Sequence, residues 1–225
     1  MVQVKICGIT NLDDALAAVE AGADMLGLVF FPKSPRYIEP ERARGITTAL
    51  QERGQAPRWV GVFVNESLER VREIAARVQL DMAQLHGDES PEIIKELGCP
   101  SSPALLPTGE GIKTIKALRP RDDAEAESLV ARYRVAVSGH LPAFIVDAFD
   151  AQRFGGTGAR ADWDIARQVA REFPILLAGG LNADNIADAI RAVRPWGVDV
   201  SSGVERAPGL KDHDKVRQFI QAAKG

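Results

Sequence analysis

Eight short apolar runs alternate with helical patterns along the whole chain, and that alternation limits the fold more than any other feature. The runs are Val2 to Cys7, Met25 to Phe30, Trp59 to Val64, Met82 to Leu85, Ile112 to Leu118, Ala143 to Asp147, Ile175 to Ala178 and Gly197 to Val200. Helical stretches begin near Asn11, Pro40, Ser67, Ser90, Asp122, Asp162, Asn182 and Asp212. Several open on a start signal: Ser67 before Leu68-Glu69-Arg70, Ser90 followed by Pro91, and Asn182 before Ala183-Asp184-Asn185. Strands that alternate with helices form right-handed crossover units and a parallel sheet. Eight such units in 225 residues predict an α/β protein, a single-domain (β/α)8 TIM barrel over residues 1–225, compact for its type. A doubly wound open sheet is the competing arrangement. Its dinucleotide signature is missing, because Cys7-Gly8-Ile9-Thr10 follows the first strand in place of G-x-G-x-x-G. The stretch Gly98 to Gly111, with Pro100, Pro103 and Pro107, reads as an irregular loop before strand five. Ala104-Leu105-Leu106 within it is the rival choice for that strand.

Composition narrows the function classes. A net charge of −3 with no basic cluster argues against nucleic-acid binding through a positive field. No apolar run approaches the roughly 20 residues that span a bilayer. The strand pattern starts at Val2, so no signal peptide is expected and the expected compartment is the cytoplasm. Cys7 and Cys99 lack metal-type spacing, and His86, His140 and His213 are scattered singly, so neither a zinc site nor a structural disulfide is expected. Oligomeric state leaves no mark in a sequence; monomer and homodimer both stay open.

In α/β folds the chemistry collects where strands end and helices begin. Two ionisable residues have that address. Cys7 ends the first run, and Asp147 ends the sixth. A thiol and a carboxylate at two strand mouths suit a base and an acid. Taken alone, Cys7 also suits a small buried hydrophobe.

Three glycine-rich turns follow the last three strands: Gly155-Gly156-Thr157-Gly158, Gly179-Gly180 and Ser201-Ser202-Gly203. Glycine lets successive backbone N–H groups close around an anion. Barrels often bind phosphate with the loops after strands seven and eight and a short extra helix, which Ser202-Gly203-Val204-Glu205 would start. Gly156, Gly179, Gly180, Ser201, Ser202 and Gly203 are therefore the candidate phosphate contacts, against the plainer reading that such loops merely turn tightly.

Other polar residues fall near the same rim. Arg36 lies in the loop Phe31-Pro32-Lys33-Ser34-Pro35-Arg36-Tyr37, and its planar fork matches a carboxylate. His86 follows strand four and either contacts a ligand or satisfies a hydrogen bond. Asp199 lies inside strand eight, where a charge is costly unless paired. Trp163 reads as packing, and His140 and His213 read as surface residues.

In order along the chain, these segments resemble the phosphoribosylanthranilate isomerases, (β/α)8 enzymes of tryptophan biosynthesis. The resemblance rests on Lys5-Ile6-Cys7-Gly8-Ile9-Thr10, Gly27 to Arg36, Val60 to Asn65, Gln84-Leu85-His86-Gly87 and Phe144-Ile145-Val146-Asp147. It continues through Gly155 to Gly158, Leu177 to Leu181 and Val198 to Glu205. Any one is weak; together they reach nearly all eight units. The Gly98–Gly111 stretch departs from the family pattern by its length, on the barrel face expected to lie opposite the chemistry.

The resemblance implies a ribulose-phosphate-binding type of barrel, with N-(5-phosphoribosyl)anthranilate as the small-molecule substrate. The implied reaction is an Amadori rearrangement to 1-(2-carboxyphenylamino)-1-deoxyribulose 5-phosphate, with no cofactor or metal. It assigns Asp147 as general acid and Cys7 as general base. It gives Arg36 the anthranilate carboxylate, and gives the turns at Gly156, Gly179-Gly180 and Ser202-Gly203 the phosphate. Such an acid needs a raised pKa, and the helix after Cys7, with Lys5, is expected to lower the thiol's.

Three other readings compete. The synthase acting next in the pathway needs a lysine acid and paired glutamates, and Lys113 and Lys116 are the nearest lysines. A non-catalytic phosphosugar-binding barrel has no need of both Cys7 and Asp147. A nucleophilic cysteine enzyme would need His86 to approach Cys7 in space.

Overall fold

The computed structural model describes residues 1–99, 111–137, 139, 141–147 and 160–225. Its eight parallel strands are β1 (Gln3–Cys7), β2 (Met25–Val29), β3 (Arg58–Phe63), β4 (Met82–Leu85), β5 (Lys113–Leu118), β6 (Phe144–Asp147), β7 (Ile175–Ala178) and β8 (Gly197–Val200). They follow one another around a closed barrel, in which β1 pairs with both β2 and β8. The helices are α1 (Leu12–Glu20), α2 (Pro40–Glu52), α3 (Leu68–Val78), α4 (Pro91–Gly98), α5 (Asp123–Tyr133), α6 (Arg160–Glu172), α7 (Ile186–Val193) and α8 (His213–Lys224).

Two apolar layers hold the fold, and the two-residue period of a strand sorts side chains between them. Met25, Val60, Met82, Ile115, Ile145 and Leu176 fill the barrel interior. Their neighbours Leu26, Ala83, Phe144, Leu177 and Val198 face the helices in a larger core. This two-sided burial is why the strands read as continuous apolar runs. It also places polar residues: Gln84 is two beyond Met82 and Asp147 two beyond Ile145, on the inward side.

Strands four, seven and eight coincide with the predicted runs. The fifth strand is Lys113–Leu118, paired with β4 and β6; the rival Ala104–Leu106 lies outside the described residues. One helix start differs from expectation. α7 begins at Ile186 rather than near Asn182, because the Asn182 side-chain oxygen accepts from the N–H groups of Asp184 and Asn185 and closes a separate turn first. Between β8 and α8 lies an element not foreseen, an antiparallel ribbon of β9 (Glu205–Ala207) and β10 (Leu210–Lys211). Among the described residues no helix is long and apolar enough to cross a membrane.

Candidate active site

A cavity of about 470 Å³ opens at the C-terminal ends of the barrel strands. Ten of the sequence-predicted site residues line it: Cys7, Arg36, His86, Asp147, Gly179, Gly180, Asp199, Ser201, Ser202 and Gly203. Gly156 lies outside the described residues.

On β1, Lys5 and Cys7 share the inward face. The Lys5 side chain has no exposed surface, and its Nζ lies 2.7 Å from Asp199 Oδ1. The charge inside strand eight is therefore paired across the β1–β8 seam. Burial alone would lower the Lys5 pKa, but Asp199 and Cys7 outweigh it and hold the ammonium above its ordinary value. Cys7 goes the other way to the expectation. Burial pushes its thiol above the ordinary range; Lys5 opposes the rise, while Asp199 adds to it. The α1 terminus does not reverse this. Its first turn begins only at Leu12, and Asn11 Oδ1 already accepts from the Asp14 N–H there.

Arg36 is anchored rather than solvated. Its Nε and Nη2 donate to the two carboxylate oxygens of Glu205, each at 2.8 Å. Glu205 also accepts from Lys211 Nζ at 2.9 Å. Burial would raise the Glu205 pKa, but the two cations outweigh it and hold the carboxyl below its usual range. Gly8 sits beneath the arginine stem with a φ of 78°. A Cβ there would lie 2.6 Å from Arg36 Cδ, so glycine is needed for both the turn and the contact.

The turn after β7 runs through two left-handed glycines, Gly179 and Gly180, with φ of 92° and 61°. The turn after β8 is a single 3₁₀ turn, Ser202–Val204, that includes the start expected from Ser202. The two turns touch: a Cβ on Gly203 would sit 1.9 Å from the Leu181 carbonyl oxygen. Two adjoining turns of this kind form a backbone concavity of the general type that suits an anion.

His86 Nδ1 accepts from Gln84 Nε2 at 2.9 Å. Burial, helped by Arg119, pushes the imidazole pKa down to about 4, so the ring is neutral at working pH. Gln84 is 2% exposed and lines the cavity, and its Oε1 has no hydrogen-bond partner among the described residues. Behind this pair, Lys116 Nζ donates to Glu89 Oε2 at 2.9 Å and to the carbonyls of Leu85 and Gly87. That buried knot fixes the loop carrying His86. A folded-state pKa below the unfolded value near 6.5 means His86 contributes stability above pH 6.5 that is lost as pH falls towards 4, about 3 kcal/mol in all. Urea unfolding of wild type and His86→Gln at pH 7.5 and 4.5 should show a smaller pH loss in the variant. Equal losses would mean that the imidazole is not held neutral.

Elsewhere, Trp163 packs partly buried against the core, as expected. His213 is 39% exposed, but its Nε2 lies 2.8 Å from Asp14 Oδ1. His140 is outside the described residues. Sequence reasoning missed Lys211, the partnership of Glu205, and Gln84. The first two depend on barrel closure; Gln84 carried a signal, an amide in an otherwise apolar strand.

A closed barrel of this kind, with ionisable side chains and two glycine-built turns facing one cavity at the strand ends, defines a (β/α)8-barrel enzyme. Residues 4–222 match the family model for N-(5'-phosphoribosyl)anthranilate isomerase. A protein of that name from Pelobacter propionicus is 48% identical over 100% of this chain and 96% of its own. The crystal structure of phosphoribosyl anthranilate isomerase from Thermotoga maritima is 42% identical, with a TM-score of 0.83 and complete coverage of both chains. A crystal structure of a phosphoribosyl anthranilate isomerase in complex with reduced 1-(o-carboxyphenylamino)-1-deoxyribulose 5-phosphate matches with a TM-score of 0.81, 42% identity and complete coverage of both chains. The chain belongs to the N-(5'-phosphoribosyl)anthranilate isomerase family.

Proposed function

We propose that the chain converts N-(5-phosphoribosyl)anthranilate into 1-(2-carboxyphenylamino)-1-deoxyribulose 5-phosphate, within tryptophan biosynthesis in the cytoplasm. The observation that carries the residue assignments is the convergence of Cys7, Asp147, Arg36 and the two glycine turns on one cavity. Family membership supplies the reaction.

In this reading the turns at Gly179-Gly180 and Ser202-Gly203 hold the phosphate, and Arg36 holds the anthranilate carboxylate. Asp147, as the acid, gives its proton to the furanose ring oxygen. The C1–O bond breaks as the nitrogen lone pair closes a protonated Schiff base. Cys7, as thiolate, takes the proton from C2, and the C2–H electrons form the enolamine. That species tautomerises to the ketone through solvent, and the catalyst resets as Cys7 releases the proton it took and Asp147 takes one up, again through solvent. The raised thiol pKa fits this order of events. A buried thiol ionises most readily once a cation stands beside it, and the protonated Schiff base is that cation.

The test is loss of substrate fluorescence with freshly prepared phosphoribosylanthranilate. The expected result is turnover far above spontaneous hydrolysis in wild type, with KM raised about ten- to hundredfold in Arg36→Ala, the loss of a charge-assisted contact. No turnover above hydrolysis would overturn the substrate assignment. Normal KM in Arg36→Ala would overturn the carboxylate contact alone.

A further inference from the structure

We propose that Glu205 and Lys211, on the β9–β10 ribbon, are positioning residues that present one edge of Arg36 to the cavity and so set selectivity for a carboxylate-bearing aryl group. The inference rests on the reading of Arg36 as the carboxylate contact, and deepens it.

A guanidinium has five N–H donors in a rigid fork. Glu205 takes one from Nε and one from Nη2, in two parallel bonds of 2.8 Å. Three remain, and one from each Nη form a second parallel pair at the end of the fork. That pair matches another carboxylate. Glu205 thus leaves Arg36 one bidentate edge and removes the freedom to rotate it.

Glu205 is itself fixed. Its side chain is 5% exposed, and Oε1 accepts from Lys211 Nζ and from the Gly209 N–H at 3.3 Å. The Lys211 side chain has no exposed surface, and its Nζ also donates to Cys7 O at 2.6 Å and Ser201 O at 3.3 Å. All three ammonium donors are therefore used. One buried lysine ties the arginine's partner to the end of the Cys7 strand and to the turn that opens the second glycine site. Glu205 is held below its usual pKa between Arg36 and Lys211, while burial lowers the Lys211 pKa and Glu205 opposes that fall. A substrate that displaced Glu205 would strand a buried carboxylate against Lys211, which is costly.

The measurement is binding of two inhibitors to wild type, Glu205→Gln, Arg36→Ala and the double variant. One inhibitor is the reduced product, 1-(2-carboxyphenylamino)-1-deoxyribitol 5-phosphate; the other is its phenylamino counterpart without the carboxyl group. Glu205→Gln should weaken the first about ten- to hundredfold and leave the second within about threefold. In the Arg36→Ala background the same change should add nothing. Equal weakening of both inhibitors, or full additivity with Arg36→Ala, would reduce Glu205 to a structural role. If Arg36→Ala itself weakens both equally, the carboxylate reading fails instead. Should Glu205→Gln not fold, Glu205→Asp keeps the charge but withdraws it by one methylene, and an unchanged inhibitor ratio there would also overturn the inference.

Discussion

Asp147→Asn is expected to leave a folded barrel that turns over phosphoribosylanthranilate about 10²–10⁴-fold more slowly than wild type. Phe144 and Val146 face the helices, so the strand period sends Asp147 inward, at the last residue that pairs with β7. There it lines the cavity. Asparagine keeps the shape and can still donate a hydrogen bond, but its amide cannot release a proton. An alkoxide leaving a furanose ring needs that proton, since without it the bond must break to a strongly basic oxygen. Substrate binding should change far less than kcat, because the lost interaction strengthens only as the ring opens. Turnover of the variant within about threefold of wild type would remove Asp147 from the acid's role. A matching collapse of the thermal transition would instead make it a structural residue.

Much of this site was legible before any coordinates, and the reason is geometric. Parallel strands place their C-terminal residues on one rim, so Cys7 and Asp147 could be grouped from their strand-end addresses alone. Gly179-Gly180 and Ser201 to Gly203 were legible as turns because left-handed backbone and close backbone approach both select glycine. Arg36 was recognisable as a fork, but not as a fork already half used. Its partner Glu205 lies 169 residues away, and nothing local marks such a pair; closure of the barrel brings them together. Lys211 was invisible for the same reason. The start of α7 was misplaced because Asn182 offers a cap-like side chain that serves a turn instead. The thiol's pKa was expected in the wrong direction. Sequence neighbours revealed the lysine beside Cys7, but not that burial would outweigh it, nor that Asp199 would reach across from β8 and offset it.

That direction shapes the second large effect. Cys7→Ser should lower kcat about 10²–10⁴-fold with near-normal binding and fold. The hydroxyl matches the thiol in shape and can keep the contact with Lys5. It cannot ionise in a buried site where even the more acidic thiol is pushed up. The sign follows from the base. It works only when deprotonated, and its pKa lies above the ordinary thiol value, so in Asp147→Asn, where no acid titrates against it, residual kcat/KM should climb with pH through neutrality and keep climbing past about 8.5, where a free thiol is half ionised. The same shift acts on stability in the opposite sense. The folded thiol keeps a proton that the unfolded chain releases, so stability is complete below the unfolded value and declines as pH rises beyond it. A flat alkaline limb in kcat/KM, with Cys7→Ser retaining turnover, would return Cys7 to the role of a small buried side chain. A steep limb that vanishes when Cys7→Ser is added would assign the titration to this thiol. It would also explain why Lys5, fully buried and held charged by Asp199, stands beside it: the ammonium limits how far burial can raise a base that must ionise at neutral pH.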